Sequence, residues 1–261
     1  MSRSTFYYHN KRAKREDKYS LIRTKINKIY HHHKGRYGYR RITSVLNNEG
    51  CIINHKTVKK LMAELDIKCQ IRKVKYHSYK GEKGKIAPNL ISRNFHAQSP
   101  YKKLTTDVSQ VSIRGEKCYL SPIMDMFNGE IISYTISKTP NLEMVIKMLQ
   151  EALHKMPSLR EAILHSDQGW QYQHNLYRHI LKQNGIIQSM SRKGNCIDNA
   201  MMESFFGSMK SELLYSNNYN NMEDFTEDLV EYINYYNMER IKLRLDGMSP
   251  IKYRMKFQLQ Q

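Results

Sequence analysis

The sequence predicts an α/β protein, a mixed β-sheet with flanking helices, preceded by an all-helical N-terminal region. Three observations carry this. Up to residue 66 the apolar residues recur at helical spacing. From residue 104 short β-rich runs come first, and then helix-period and strand-like runs alternate. Between these two regions lies a stretch rich in Lys, Arg, Gly, Ser and Pro.

Taken in order, "DKYSLIRTKINKIYHHHK" places Leu21, Ile22, Ile26 and Ile29 on one helical face. "RRITSVLNNEG" follows, with Gly50 as a helix stop. "INHKTVKKLMAELDI" has Asn54 as its N-cap and Val58, Leu61, Met62 and Leu65 at helical spacing. Short helix, short turn and short basic helix outline a helix-turn-helix over residues 1–66, with Lys56, Lys59 and Lys60 as candidate DNA contacts; a plain helical bundle is the rival. His31, His32 and His33 have no second ligand pair at zinc-finger spacing, so an exposed helix face is expected rather than a metal site. Residues 67–103 contain little that could be buried and read as a basic linker lying along a phosphate backbone.

"LTTDVSQVSI", "KCYLSPIMDMF" and "EIISYTIS" predict three strands in a meander, with Asn128-Gly129 as a hairpin signal. "NLEMVIKMLQEALHKM" then predicts a helix, "AILHSD" a strand, "QHNLYRHILKQNG" a helix ending at Gly185, and "IIQSMS" a fifth strand. A further helix begins near Asp198. The tail, residues 216–261, is expected to be helical through "MEDFTEDLVEYINYYNMER", with Pro250 breaking the last segment.

Composition narrows the partner. The 261 residues hold 43 Lys and Arg against 24 Asp and Glu, a formal charge of +19. Such an excess points to a polyanion, nucleic acid ahead of a membrane, with a generally basic protein as the bland alternative. No run of eighteen apolar residues occurs, and the basic start "MSRSTFYYHNKRAKRE" lacks the apolar core of a secretory signal. Cys51, Cys69, Cys118 and Cys196 are scattered and read as free thiols in a reducing cytoplasm.

Three carboxylates fall at informative places. Asp107 lies in the first strand, where a charge is costly unless compensated. Asp167 stands where the chain leaves a strand end, which is where α/β sites collect functional groups. Glu203 lies on the helix in "CIDNAMMESFFGSMK", with thirty-five residues between it and Asp167. On a wheel of ~100° per residue, Met202, Phe206, Met209 and Leu213 form a buried stripe. Asn199, Lys210 and Glu203 share one edge of it, and Ser204, Ser208 and Ser211 face away. Asp198 is a candidate N-cap and Asp125 a strand-turn residue. Carboxylates converging from two strands and a helix could clamp Mg²⁺, which takes oxygen ligands. Two such ions about 4 Å apart serve in-line displacement at phosphorus. Without metal the carboxylates would repel and at least one pKa should rise.

With "TTDVS", "HSDQGWQY", "SRKGNCIDNAMMESFFGSMKSE" and "YYNMERIKLRLDGMSP", the chain resembles the OrfB-type transposases of bacterial insertion sequences. These are members of the DDE family with a retroviral-integrase-like, ribonuclease-H-like core. The resemblance implies a five-stranded mixed sheet, an integrase catalytic core over 104–215 and a C-terminal helical extension over 216–261. It assigns Asp107, Asp167 and Glu203 as the metal-binding catalytic triad for Mg²⁺ or Mn²⁺, two ions in all. It implies metal-dependent cleavage at the element's ends and strand transfer by the freed 3′-OH, and it places Lys210 against the DNA end. Arg192, Lys193, Gly194 and Asn195 form a basic loop expected to touch DNA, with Asn199 beside it; Gly207 would admit a close-approaching strand. Asn237 and Arg240 match a C-terminal motif, in packing or in DNA contact, and Lys242 stands where many relatives carry His.

The implied partners are double-stranded DNA and further copies of the chain bridging two ends, with no membrane and a cytoplasmic, nucleoid-associated setting. The zinc module that opens retroviral integrases is missing, as is any heptad-rich segment. An upstream-frame partner carrying a helix-turn-helix and leucine zipper is therefore expected. Two rivals stand beside this reading: a catalytically silent DNA-binding regulator, and a ribonuclease-H-type nuclease on RNA–DNA hybrids, which the basic N-terminal region and Lys210 disfavour.

Overall fold

A computed structural model describes residues 3, 18–70, 86–156, 159–192 and 195–260. The chain divides into two units, Met1–Gln70 and Ile71–Gln261.

The first unit holds three helices: α1 (Ser20–His32), α2 (Tyr39–Asn48) and α3 (His55–Glu64). Ile26, Ile29, Ile42, Leu46, Val58 and Leu61 are buried and supply its core. Asn54 caps α3 by accepting the Lys56 N–H at 2.8 Å. Two expectations fail. Leu21 is exposed, because the apolar stripe begins only a turn later. His33 is buried rather than on an open face, and stacks on Tyr37 with ring centroids 3.7 Å apart. Burial pushes its pKa down to about 4. Lys56, Lys59 and Lys60 all lie on the exposed side of α3.

The second unit is built on a six-stranded mixed sheet: β1 (Lys103–Thr106), β2 (Ser109–Ile113), β3 (Glu116–Asp125), β4 (Ile131–Ser137), β5 (Ile163–Ser166) and β6 (Ile187–Met190). The first expected strand is broken at Asp107-Val108 into β1 and β2. Both pair antiparallel with β3 on the edge opposite β4, so the five expected ribbons survive with the first interrupted. β1, β5 and β6 run parallel. Asp107 therefore stands in a break between strands, just past the end of β1.

Two cores cover the two faces of the sheet. One is filled from α4 (Leu142–Lys155), the short α5 (Trp170–Gln173) and α6 (Asn175–Gln183), with Val145, Met148, Leu149, Tyr172, Tyr177 and Leu181 against Leu104, Ile123 and Leu164. The other is filled from α7 (Ala200–Met209) and α8 (Met222–Met238), with Met202, Phe205, Met209, Phe225 and Tyr236 against Val111, Leu120 and Met124. The parity of β3 does the sorting: Leu120 and Met124 face one layer, Ile123 the other. The tail thus shares a core with the helix that carries Glu203. Pro250 opens a final helix, α9 (Pro250–Gln258), instead of breaking one; a first-turn Pro loses no helical hydrogen bond.

The described part of the expected linker is also packed. Ile91 and Ala97 are buried, and the Leu90 N–H donates to Ser189 Oγ at 2.9 Å. Residues 71–85 lie outside the described set. Among the described residues no helix is long and apolar enough to cross a membrane.

Candidate active site

Each carboxylate owes its place to local chain geometry. Asp107 follows β1, and its Oδ1 accepts the Val108 N–H at 2.7 Å. Asp167 follows β5, and its Oδ1 accepts the Gly169 N–H at 2.8 Å. A Cβ on Gly169 would stand 2.9 Å from that oxygen, so a larger residue there would crowd the carboxylate. Glu203 lies in the first turn of α7, which Met202, Phe205, Phe206 and Met209 anchor.

Asp107 senses both of the others. Burial, then the charge of Asp167, pushes the Asp107 pKa well above the usual carboxylate range; Glu203 adds to the rise, and Val108 N–H and Lys210 oppose it. Burial also raises Asp167. Tyr172, close by, is raised by burial and then by Asp107 and Asp167. Lys210 is half-buried; burial lowers its pKa, against the attraction of Asp107.

Among the described residues no group of three or more His, Cys, Asp or Glu side chains is gathered closely enough to hold a metal ion. Asp107, Asp167 and Glu203 are each half-buried, and their donor chemistry is all-oxygen and anionic. A hard divalent cation fits that chemistry, since its charge would reverse the very cost that raises these pKa values.

Lys210 opens a π-turn, Lys210–Leu214, that the uniform wheel could not foresee. The turn carries Glu212 inward to Arg240, whose Nη2 donates to Glu212 Oε1 at 2.6 Å and Nε to Oε2 at 2.8 Å, with the Tyr232 hydroxyl donating at 3.0 Å. Arg240 is thus a buried packing partner. Asn237 brackets Ile131, accepting its N–H and donating to its carbonyl, both at 2.9 Å. Lys242 donates to the Tyr236 hydroxyl at 2.7 Å and lies over that ring.

The expected DNA contacts divide. Arg192 is exposed at its outer edge but pairs with Asp198 through Nε and Nη2, both at 3.0 Å. Asn195 accepts from Arg93 at 3.4 Å. Lys193 lies outside the described residues. Asn199 is buried and bonded to β1, so it does not face DNA. Asp198 is not a cap: its carboxylate is buried, and the Arg192 hydrogen bond holds its pKa well below the usual range. Around Gly207 there is only open space. Asp125 is buried, accepts from the Tyr101 and Phe127 N–H groups, and is pushed by burial up to about 6. The sequence reading missed the Glu212–Arg240 pair and the Asn89 and Arg93 contacts to Asp198; nothing local marks partners 28 and 105 positions apart.

The integrase core domain family matches residues 97–196 and again 203–257, and the HTH-like domain family matches 15–75. The putative transposase InsK of insertion sequence element IS150 from Escherichia coli is 50% identical over 252 residues, covering 97% of this chain and 89% of that protein. The transposase of insertion sequence element IS904 from Lactococcus lactis is 35% identical over 244 residues, covering 93% and 96%. Among solved structures, the HTLV-2 integrase catalytic core domain in complex with magnesium aligns with a TM-score of 0.48 at 15% identity, covering 61% of this chain and 99% of that one.

Proposed function

We propose a function from one established premise: the chain belongs to the OrfB-type transposases of bacterial insertion sequences, with an integrase core and an HTH-like region. It cuts DNA at the element's ends and joins the freed 3′-OH to target DNA. The observation that carries this reading is geometric: β1 and β5 pair in parallel with Thr105 opposite His165, so Asp107 and Asp167 stand at adjacent strand ends.

In this account Asp107, Asp167 and Glu203 hold Mg²⁺ or Mn²⁺. Held there, such ions would supply activation of the attacking oxygen and stabilisation of the leaving one. Water attacks a backbone phosphorus first, leaving a 5′-phosphate and expelling a 3′-OH; that hydroxyl then attacks a target phosphodiester, forming the new P–O bond as the target strand's own 3′-oxygen leaves. Lys210 places a cation against the phosphate at the DNA end. Its half-buried setting strengthens that contact relative to one in open solvent. Gly169 fixes the Asp167 carboxylate by its N–H. Lys56, Lys59 and Lys60 grip the duplex backbone from α3, and several copies of the chain bridge the two ends. Catalysis is positioning and electrostatics, so no protein nucleophile is required.

The test is a strand-joining assay on duplexes carrying the element's ends. Asp107→Asn should bind duplex as the wild type does and join no strands. Full joining by that variant refutes the proposal. If wild-type protein binds duplex and divalent metal never stimulates joining, the chain is a regulator.

A further inference from the structure

We infer that Asp198 and Asn199 are positioning residues that set the spacing between the helix carrying Glu203 and the strand ending at Asp107. The inference rests on the carboxylate reading above and concerns what keeps those carboxylates in place.

Asn199 is buried, and both halves of its amide are used. Its Oδ1 accepts from the Thr105 hydroxyl, and its Nδ2 donates to the Thr106 carbonyl at 3.2 Å. Thr106 immediately precedes Asp107, and Glu203 follows Asn199 by one helical turn. One neutral side chain thus ties together the bases of two mutually repelling carboxylates. An Asp at 199 would add a further negative charge beneath them. A Ser is too short to make both bonds.

Asp198 secures the other side. Its oxygens accept from Asn89 Nδ2 at 2.9 Å, Arg93 Nε at 3.1 Å, and the Arg192 N–H, Nε and Nη2 at 3.1, 3.0 and 3.0 Å. The residue before Arg192 reaches the third carboxylate's strand. The Ser191 N–H donates to the Ser166 carbonyl at 2.8 Å, and Gln168 Nε2 donates to the Ser191 carbonyl at 2.9 Å. These two bonds flank Asp167 on both sides. The adjacent pair therefore links all three carboxylate-bearing segments. Magnesium's near-octahedral demand leaves little tolerance for drift between them.

The test uses the full chain and Mn²⁺ as the probe, with binding read from the electron paramagnetic resonance of the free ion. Thr105→Val removes the hydroxyl that Asn199 accepts from while keeping the side chain's shape; Thr105→Ser keeps the hydroxyl. Thr105→Val and Asn199→Ala should weaken Mn²⁺ binding roughly ten- to hundredfold, with duplex affinity and circular dichroism unchanged. Thr105→Ser should bind Mn²⁺ like the wild type. Should Asn199→Ala fail to fold, the Thr105 pair still decides. Wild-type Mn²⁺ affinity in folded Thr105→Val overturns the inference. So does lost duplex affinity with Mn²⁺ affinity kept in Asn199→Ala, which would make Asn199 a DNA contact. Asp167→Asn tests the carboxylate reading separately: if it binds Mn²⁺ as the wild type does, that reading falls, and this inference with it.

Discussion

In the helical unit, Lys56, Lys59 and Lys60 project from the exposed side of α3, while in the sheet unit the decisive charges are half-buried or buried. The contrast separates two tasks. Exposed lysines interact through water and salt, so each adds a modest, graded attraction for a polyanion. Half-buried carboxylates and a buried Glu212–Arg240 pair interact at lower dielectric than open solvent, so each is coupled to its neighbours and intolerant of loss. On the proposed function, affinity would be spread over a surface and chemistry concentrated in a few fixed groups.

The comparison predicts effects of very different size. The largest belongs to the carboxylates. Asp107→Asn should lower strand joining by at least about a thousandfold in a gel-based assay. The same change should raise stability without divalent ions by about 1 kcal/mol, because a repelled charge is removed, and denaturant titration would show it. An unchanged joining rate would erase the proposed contrast between the units.

Next comes the buried ion pair. Glu212→Gln should cost about 3–5 kcal/mol in chemical denaturation, since it leaves the Arg240 guanidinium buried without its counter-charge. A loss below about 1 kcal/mol would mean that water reaches the pair.

A smaller effect concerns His33 in the helical unit. Its folded pKa of about 4 lies below the ordinary 6.5, so between those values the unfolded chain binds a proton that the folded chain does not. Stability is therefore fully present above pH 6.5 and is lost as pH falls towards 4. The loss is about 3 kcal/mol. His33→Phe should flatten that slope in acid unfolding; an unchanged slope would move the effect to another group.

The smallest effect on stability belongs to the surface. Lys59→Ala should change stability by less than about 0.5 kcal/mol. It should weaken duplex binding without regard to sequence and reduce the salt slope by roughly one. A sequence-selective loss would instead give Lys59 a base contact.

How much the sequence disclosed follows the same division. The helices of the first unit and the alternation in the second were readable, because burial imposes its period on neighbouring residues. So was the placement of Asp167 at a strand end and of Glu203 on a helix, whereas Asp107 read as lying within the first strand. The break at Asp107-Val108 was not, since a β-rich run looks the same with or without it. The π-turn at Lys210 was hidden because a uniform wheel admits no extra residue per turn. Asn199 shared an edge with Glu203 on that wheel, but its bonds to Thr105 and Thr106 depend on a strand more than ninety positions away. Asp198 read as a cap because its two arginine partners become neighbours only in the folded chain.

The central claim is that the three carboxylates form one divalent-ion site. It is tested most directly by titrating Mn²⁺ into wild-type protein, Asp107→Asn, Asp167→Asn and Glu203→Gln while following thermal unfolding. The account predicts that Mn²⁺ raises the wild-type Tm and that each substitution removes most of the rise. Equal rises in all four proteins would contradict it.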